Sequence, residues 1–160
     1  MGLLLRVHQC AVCNYYIESD LHYGNSGISA TFLRHHYAIA ICRHCHNIVS
    51  ALVETAPGQM PTVITSARRT LLQMEADAII GDIEARDLLP FFREALDTLD
   101  GPDSHSTEGL HTLHCDVCDS ADLTLFDPLD PVALQANEIW IPCPRCVEGK
   151  LLLEPAGEWI

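Results

Sequence analysis

Cys10-Ala11-Val12-Cys13 is the first of four Cys-x-x-Cys pairs in this 160-residue chain. The others are Cys42-Arg43-His44-Cys45, Cys115-Asp116-Val117-Cys118 and Cys143-Pro144-Arg145-Cys146, and together they use all eight cysteines. A tight turn with cysteines at this spacing sets both sulfurs within reach of one ion. N–H groups of the same turn point at the sulfurs and stabilise their charge. Two such turns complete a tetrahedron, which suits Zn2+ and its borderline-soft thiolate ligands. One isolated pair is a weak signal. Four pairs with no cysteine left over predict two structural Zn2+ ions per chain. The competing readings are disulfides, redox thiols and packed cysteines, with iron as the competing metal.

The segments around the outer pairs share a plan. Leu3-Leu4-Leu5-Arg6-Val7 leads into the first pair, and Tyr15-Tyr16-Ile17 follows it with strand-like composition. Gly24-Asn25-Ser26-Gly27 signals a turn. Tyr37–Ile41 leads into the second pair, and Ile48–Val53 reads as a further strand or the start of a helix. Near the other end, Leu113 precedes the third pair and Leu123–Phe126 reads as a strand. Asp127-Pro128-Leu129-Asp130-Pro131 is a loop, Ile139–Ile141 leads into the fourth pair, and Leu151–Leu153 follows. The intervals between the first and second pairs and between the third and fourth are 28 and 24 residues.

These motifs resemble those of the zinc-ribbon superfamily, in the rubredoxin-like sense of two knuckles on hairpins. The resemblance covers the outer segments only, and implies an α+β chain of two small β-rich zinc ribbons, residues 1–55 and 105–160, joined by a helical connector, residues 56–104. It departs from the usual pattern after each knuckle, where glycine is typical in a left-handed conformation. Here the residues are Asn14, His46, Asp119 and Val147. Asn and Asp tolerate that conformation and β-branched Val does not, so the fourth knuckle is expected to be distorted, with Gly149 taking the turn.

Loop-closure entropy favours pairing in sequence order. Cys10, Cys13, Cys42 and Cys45 would then hold one ion, and Cys115, Cys118, Cys143 and Cys146 the other. A nested arrangement, first pair with fourth and second with third, needs the middle of the chain to fold the two ends together. Each site is expected to contribute roughly 10–16 kcal/mol of apparent binding energy at neutral pH. A ribbon of this size has too little apolar core to fold on burial alone.

In the middle, Ile64, Ala67, Leu71, Met74 and Ala78 recur at spacings of three and four, one face of a helix. Thr62 suits its N-cap and Gly81 its stop. In a second helix, Asp87 suits the N-cap, Pro90 the first turn, and Leu89, Phe92, Leu96 and Leu99 the apolar face.

The formal charge is −13 and uneven: zero over residues 1–55, −5 over 56–104 and −8 over 105–160. Such a field repels phosphate backbones and anionic lipid. The N-terminal apolar run is too short for a signal peptide and no run is long enough for a membrane span, so a soluble, cytoplasmic protein is expected. Its thiols would then stay reduced.

Four thiolates at one ion leave no open position for a reacting water. Pro142-Cys143-Pro144-Arg145-Cys146 matches half of the nucleobase deaminase signature, but His-x-Glu is absent and the one Cys-x-Glu, Cys146-Val147-Glu148, shares its cysteine with that same half, so the separate second half is missing. A non-catalytic adaptor for a protein partner, one with a basic surface, is therefore the leading expectation, with self-association through the helices as a further mode. Two alternatives remain. One is nucleic-acid binding through Arg34-His35-His36-Tyr37 and Arg43-His44, which the charge disfavours. The other is a zinc-dependent thiol redox switch or chaperone. His8, His44, His46 and His114 beside the knuckles read as surface or supporting residues, since the cysteines already fill the tetrahedra.

Overall fold

A computed structural model describes residues 2–25, 34–55, 57–100 and 113–159. The chain is α+β, with antiparallel sheets and the two long helices in separate parts. Among the described residues, those between 1 and 24, 37 and 53, and 112 and 159 form one compact unit. The two long helices belong to a second unit.

The first unit is built on pairing between the two ends of the chain. β1 (Gly2–Val7) alternates: Leu5 and Val7 point inward, while Arg6 points out and meets Asp20 at 3.7 Å. It pairs antiparallel with β7 (Lys150–Trp159), setting Val7 opposite Leu153 and Gly2 opposite Trp159. The register shifts between Leu4 and Leu5, which face Gly157 and Pro155. A proline cannot donate to the ladder, and a bulge is where a strand tolerates one. Gly2 is required by close approach, because a Cβ there would fall on the Trp159 indole. β2 (Leu21–Tyr23) and β6 (Ile139–Pro142) complete a four-stranded sheet in the order β2-β1-β7-β6.

A three-stranded sheet runs in the order β4-β3-β5, from β3 (His35–Cys42), β4 (Asn47–Glu54) and β5 (Leu123–Phe126). β3 and β5 are antiparallel, with Ile39 opposite Phe126 and Cys42 opposite Leu123. The alternation of β3 and β4 feeds two cores. Ile39 and Ile48 join Leu5, Val7, Leu21, Ile141, Leu151 and Leu153. Ala40, Val49 and Ala51 pack with Cys42 and Cys115. Leu153 is fully buried, so Leu153→Ala is expected to cost the metal-loaded protein about 2–5 kcal/mol in urea denaturation.

Tyr15–Ile17 forms no strand; Tyr15 is instead drawn into the core, and its hydroxyl accepts from the Ile48 N–H at 3.0 Å. Ile48–Val53 is strand rather than helix. Gly24 has the positive φ of a turn, 84°. Ser26 and Gly27 lie outside the described residues. The expected loop is present over residues 127–130, and a short helix, α3 (Pro131–Gln135), begins at its last residue. Asp130 caps it, accepting from Val132 N at 2.9 Å and Ala133 N at 3.4 Å.

In the second unit, α1 (Met60–Ile79) and α2 (Ile83–Asp100) pack Ala67 against Phe92, Ala95 and Leu96. Gly81, at φ 103°, ends α1 as expected. Both helices start earlier than the capping residues suggest. The residue before α1 is Gln59, with no side-chain cap, and Pro61 rather than Thr62 marks the start. Asp82, not Asp87, caps α2, accepting from Ala85 N at 3.0 Å, which leaves Pro90 inside the helix. Arg93 ties the two helices together through Glu75 at 2.7 Å. No helix among the described residues is long and apolar enough to cross a membrane.

Candidate metal centres

The strand pairings bring the cysteines together across the chain. β1 runs into the first knuckle, and the β6–β7 hairpin carries the fourth at its turn. Because β1 lies against β7, Cys10 and Cys13 meet Cys143 and Cys146. The β3–β4 hairpin carries the second knuckle, and the third immediately precedes β5. Because β3 lies against β5, Cys42 and Cys45 meet Cys115 and Cys118. Pairing in sequence order is therefore incorrect and the nested arrangement holds.

The four sulfurs of each quartet all lie within 4.8 Å of one another. In the outer quartet, Cys10 Sγ is 3.7 Å from Cys146 Sγ, and Cys13 Sγ is 3.6 Å from Cys143 Sγ. In the inner quartet, Cys42 to Cys118 is 3.5 Å and Cys45 to Cys115 is 3.8 Å. These spacings are too long for a disulfide. They match the edge, about 3.8 Å, of a tetrahedron with metal–sulfur bonds near 2.3 Å. The first cysteine of each pair is buried and the second is more exposed.

Three knuckles share one backbone plan. The N–H of the residue after each pair donates to the carbonyl of its first cysteine: Asn14 to Cys10, His46 to Cys42 and Asp119 to Cys115, at 2.8–3.0 Å. Each of those residues is left-handed, with φ between 55° and 63°. The fourth knuckle departs, as Val147 predicts. The N–H groups of Cys10 and Cys115 donate to the carbonyls of Tyr15 and Ser120, five residues on, whereas that of Cys143 reaches Gly149, six residues on. The extra residue loops Val147 fully into solvent.

Gly149 serves this knuckle through space rather than through a positive φ. A Cβ on it would overlap Cys10 Sγ and come within 2.5 Å of Cys146 Sγ. Gly149→Ala is expected to lower outer-site metal occupancy and leave the inner site filled, as read by metal content and chelator competition. The sequence points to Gly149 as a turn residue, whereas its proximity to the sulfurs of Cys10 and Cys146 arises only from the fold.

Electrostatics within each metal-free quartet is divided. The Cys13 N–H, aided by that of Val12, holds the Cys10 thiol down at about 6. Burial opposes ionisation of Cys42, but the N–H groups of Cys45 and His44 bring it to about 7. Burial pushes Cys115 and Cys146 up to about 12. Each quartet thus holds a ready thiolate beside thiols that stay protonated until a cation joins them. Because ions displace protons here, metal affinity falls as pH falls. Loaded protein is expected to keep its metal near pH 8 and release it toward about pH 5, followed by a chromogenic chelator.

No family model, curated protein or solved structure matches the chain. The metal reading stands on the cysteine geometry, which is compatible with zinc-ribbon-like sites.

Among the described residues, the clusters able to hold a metal contain cysteines only. His8 Nε2 meets Glu154 Oε2 at 2.6 Å, and His114 Nε2 lies 3.6 Å from Asp119 Oδ1. His46 supplies a left-handed turn and a carbonyl acceptor.

Proposed function

We propose that the chain is a non-catalytic protein-interaction module, made rigid by two structural Zn2+ ions. The observation that carries this reading is apolar surface on the helices. After α1 and α2 have packed their inner faces, Leu72, Ile79, Ile80, Ile83 and Phe91 remain exposed, between 60 % and 85 %. Three of them flank the turn between the helices, beside Asp77, Asp82 and Glu84. Apolar side chains rimmed by carboxylates suit a partner with apolar anchors and basic flanks.

The closed quartets support a structural rather than catalytic metal role, because four thiolates leave no site for water. The nucleic-acid reading weakens further at Arg43, which is engaged by Asp122 at 2.9 Å. A pull-down from native lysate tests the proposal. Wild type is expected to recover a protein partner, which Ile80→Glu/Ile83→Glu loses while keeping its metal. Recovery of nucleic acid alone would overturn it.

A further inference from the structure

Arg145 sits inside the fourth knuckle, between two ligands of the outer quartet, yet its guanidinium reaches the inner one. Its Nε donates to the His46 carbonyl at 3.0 Å and its Nη2 to Asn47 Oδ1 at 2.9 Å. Asn47 Nδ2 in turn donates to Cys45 Sγ at 3.5 Å. Tyr15, two residues after Cys13, makes a second path. Its hydroxyl donates to Asn47 Oδ1 at 3.3 Å, and its ring lies under the guanidinium, 5.1 Å from centroid to Cζ. The Asn47 oxygen is thus held from the outer quartet, which leaves the amide nitrogen aimed at a sulfur of the inner one.

We propose that the two metal centres load as a cooperative pair, coupled by Arg145 and Tyr15 through Asn47. An ion in the outer quartet fixes the knuckle that presents Arg145 and the knuckle that leads to Tyr15. Both then orient Asn47 toward Cys45, where its N–H stabilises the thiolate that an inner ion needs. The coupling is reciprocal, so an inner ion prepares the outer site equally.

The nested topology adds a second term of the same sign. Cys13 and Cys143 are 130 residues apart, and Cys45 and Cys115, within that span, are 70 apart. Closing the inner loop first leaves about 60 residues for the outer site to close, which raises its closure probability about threefold by the three-halves-power law. A further tenfold from the Arg145 contacts is an ordinary coupling, and the two together make about thirtyfold.

This inference rests on the quartets binding metal, and one titration separates the two claims. Reduced, metal-free full-length protein is titrated with Zn2+ and the species are counted by native mass spectrometry. Saturation at two ions establishes the quartets; saturation below two overturns them and the coupling with them. At one equivalent, equal and independent sites leave about half the chains with a single ion. Thirtyfold coupling leaves about one in seven, and threefold coupling about three in eight.

Wild type is expected near one in seven. Arg145 is exposed, so Arg145→Ala is expected still to bind two ions while its one-ion share rises to about three in eight. Arg145→Lys retains the charge without the two-pronged contact and is expected to follow the alanine variant. A wild-type one-ion share of half or more would overturn cooperative loading. A share unchanged in both variants would overturn the role of Arg145.

Discussion

Replacing Cys13 and Cys143 together by serine is expected to leave one metal ion per chain, whereas replacing Cys13 and Cys42 together leaves none. The first pair of changes falls within one quartet, because β1 and the β6–β7 hairpin bring both residues to the outer centre. The second pair removes a ligand from each quartet. Pairing in sequence order inverts both results, so the two double variants discriminate without any structural measurement. The difference should be a whole ion. Three thiolates hold a structural ion far less tightly than four, and a strong chelator removes it. Elemental analysis of reduced protein, after exposure to a competing chelator, reads the outcome.

Stripping both ions is expected to unfold the sheets and spare much of the helical signal. A loaded tetrathiolate site would contribute roughly 10–16 kcal/mol, comparable to the entire stability of about 5–15 kcal/mol of an ordinary domain. The first unit is expected to depend on that contribution, since Cys10, Cys42, Cys115 and Cys143 are themselves part of its buried cores. The helical unit has its own packing, with Phe92 and Leu96 buried against Ala67, and no metal-ligating cluster among its described residues. Chelator under reducing conditions should therefore collapse the dispersed amide resonances of residues 37–53 and 113–159. Far-UV circular dichroism should retain a helical component. Persistence of those dispersed resonances in metal-free protein would contradict a structural metal.

The cysteines, their grouping into pairs and the strands at Leu123–Phe126 and Ile139–Ile141 could be read directly from composition and spacing. The partnership between pairs could not. Loop closure depends only logarithmically on length, so nesting costs about 1.5 kcal/mol more than local pairing. Burial of a single Leu is worth a similar or larger amount, and the β1–β7 and β3–β5 ladders bury Leu5, Ile39, Leu151 and Leu153 completely. Strand pairing at long range thus decides which cysteines meet, and nothing local to a Cys-x-x-Cys turn records it. Tyr15 misled for a related reason. Its aromatic neighbourhood suggested a strand, while its position is set by a hydrogen bond to Ile48 and by Arg145 above its ring. At the fourth knuckle the departure was legible, because a β-branched residue in the place of Asn or Asp forbids the left-handed turn.

The most direct test is correlation spectroscopy on protein reconstituted with 113Cd, which takes the tetrathiolate place of zinc and shows scalar coupling to the Hβ protons of each ligating cysteine. Two cadmium resonances are expected. One should correlate with Cys10, Cys13, Cys143 and Cys146, the other with Cys42, Cys45, Cys115 and Cys118. A resonance correlating with both Cys10 and Cys42 would contradict the nested centres.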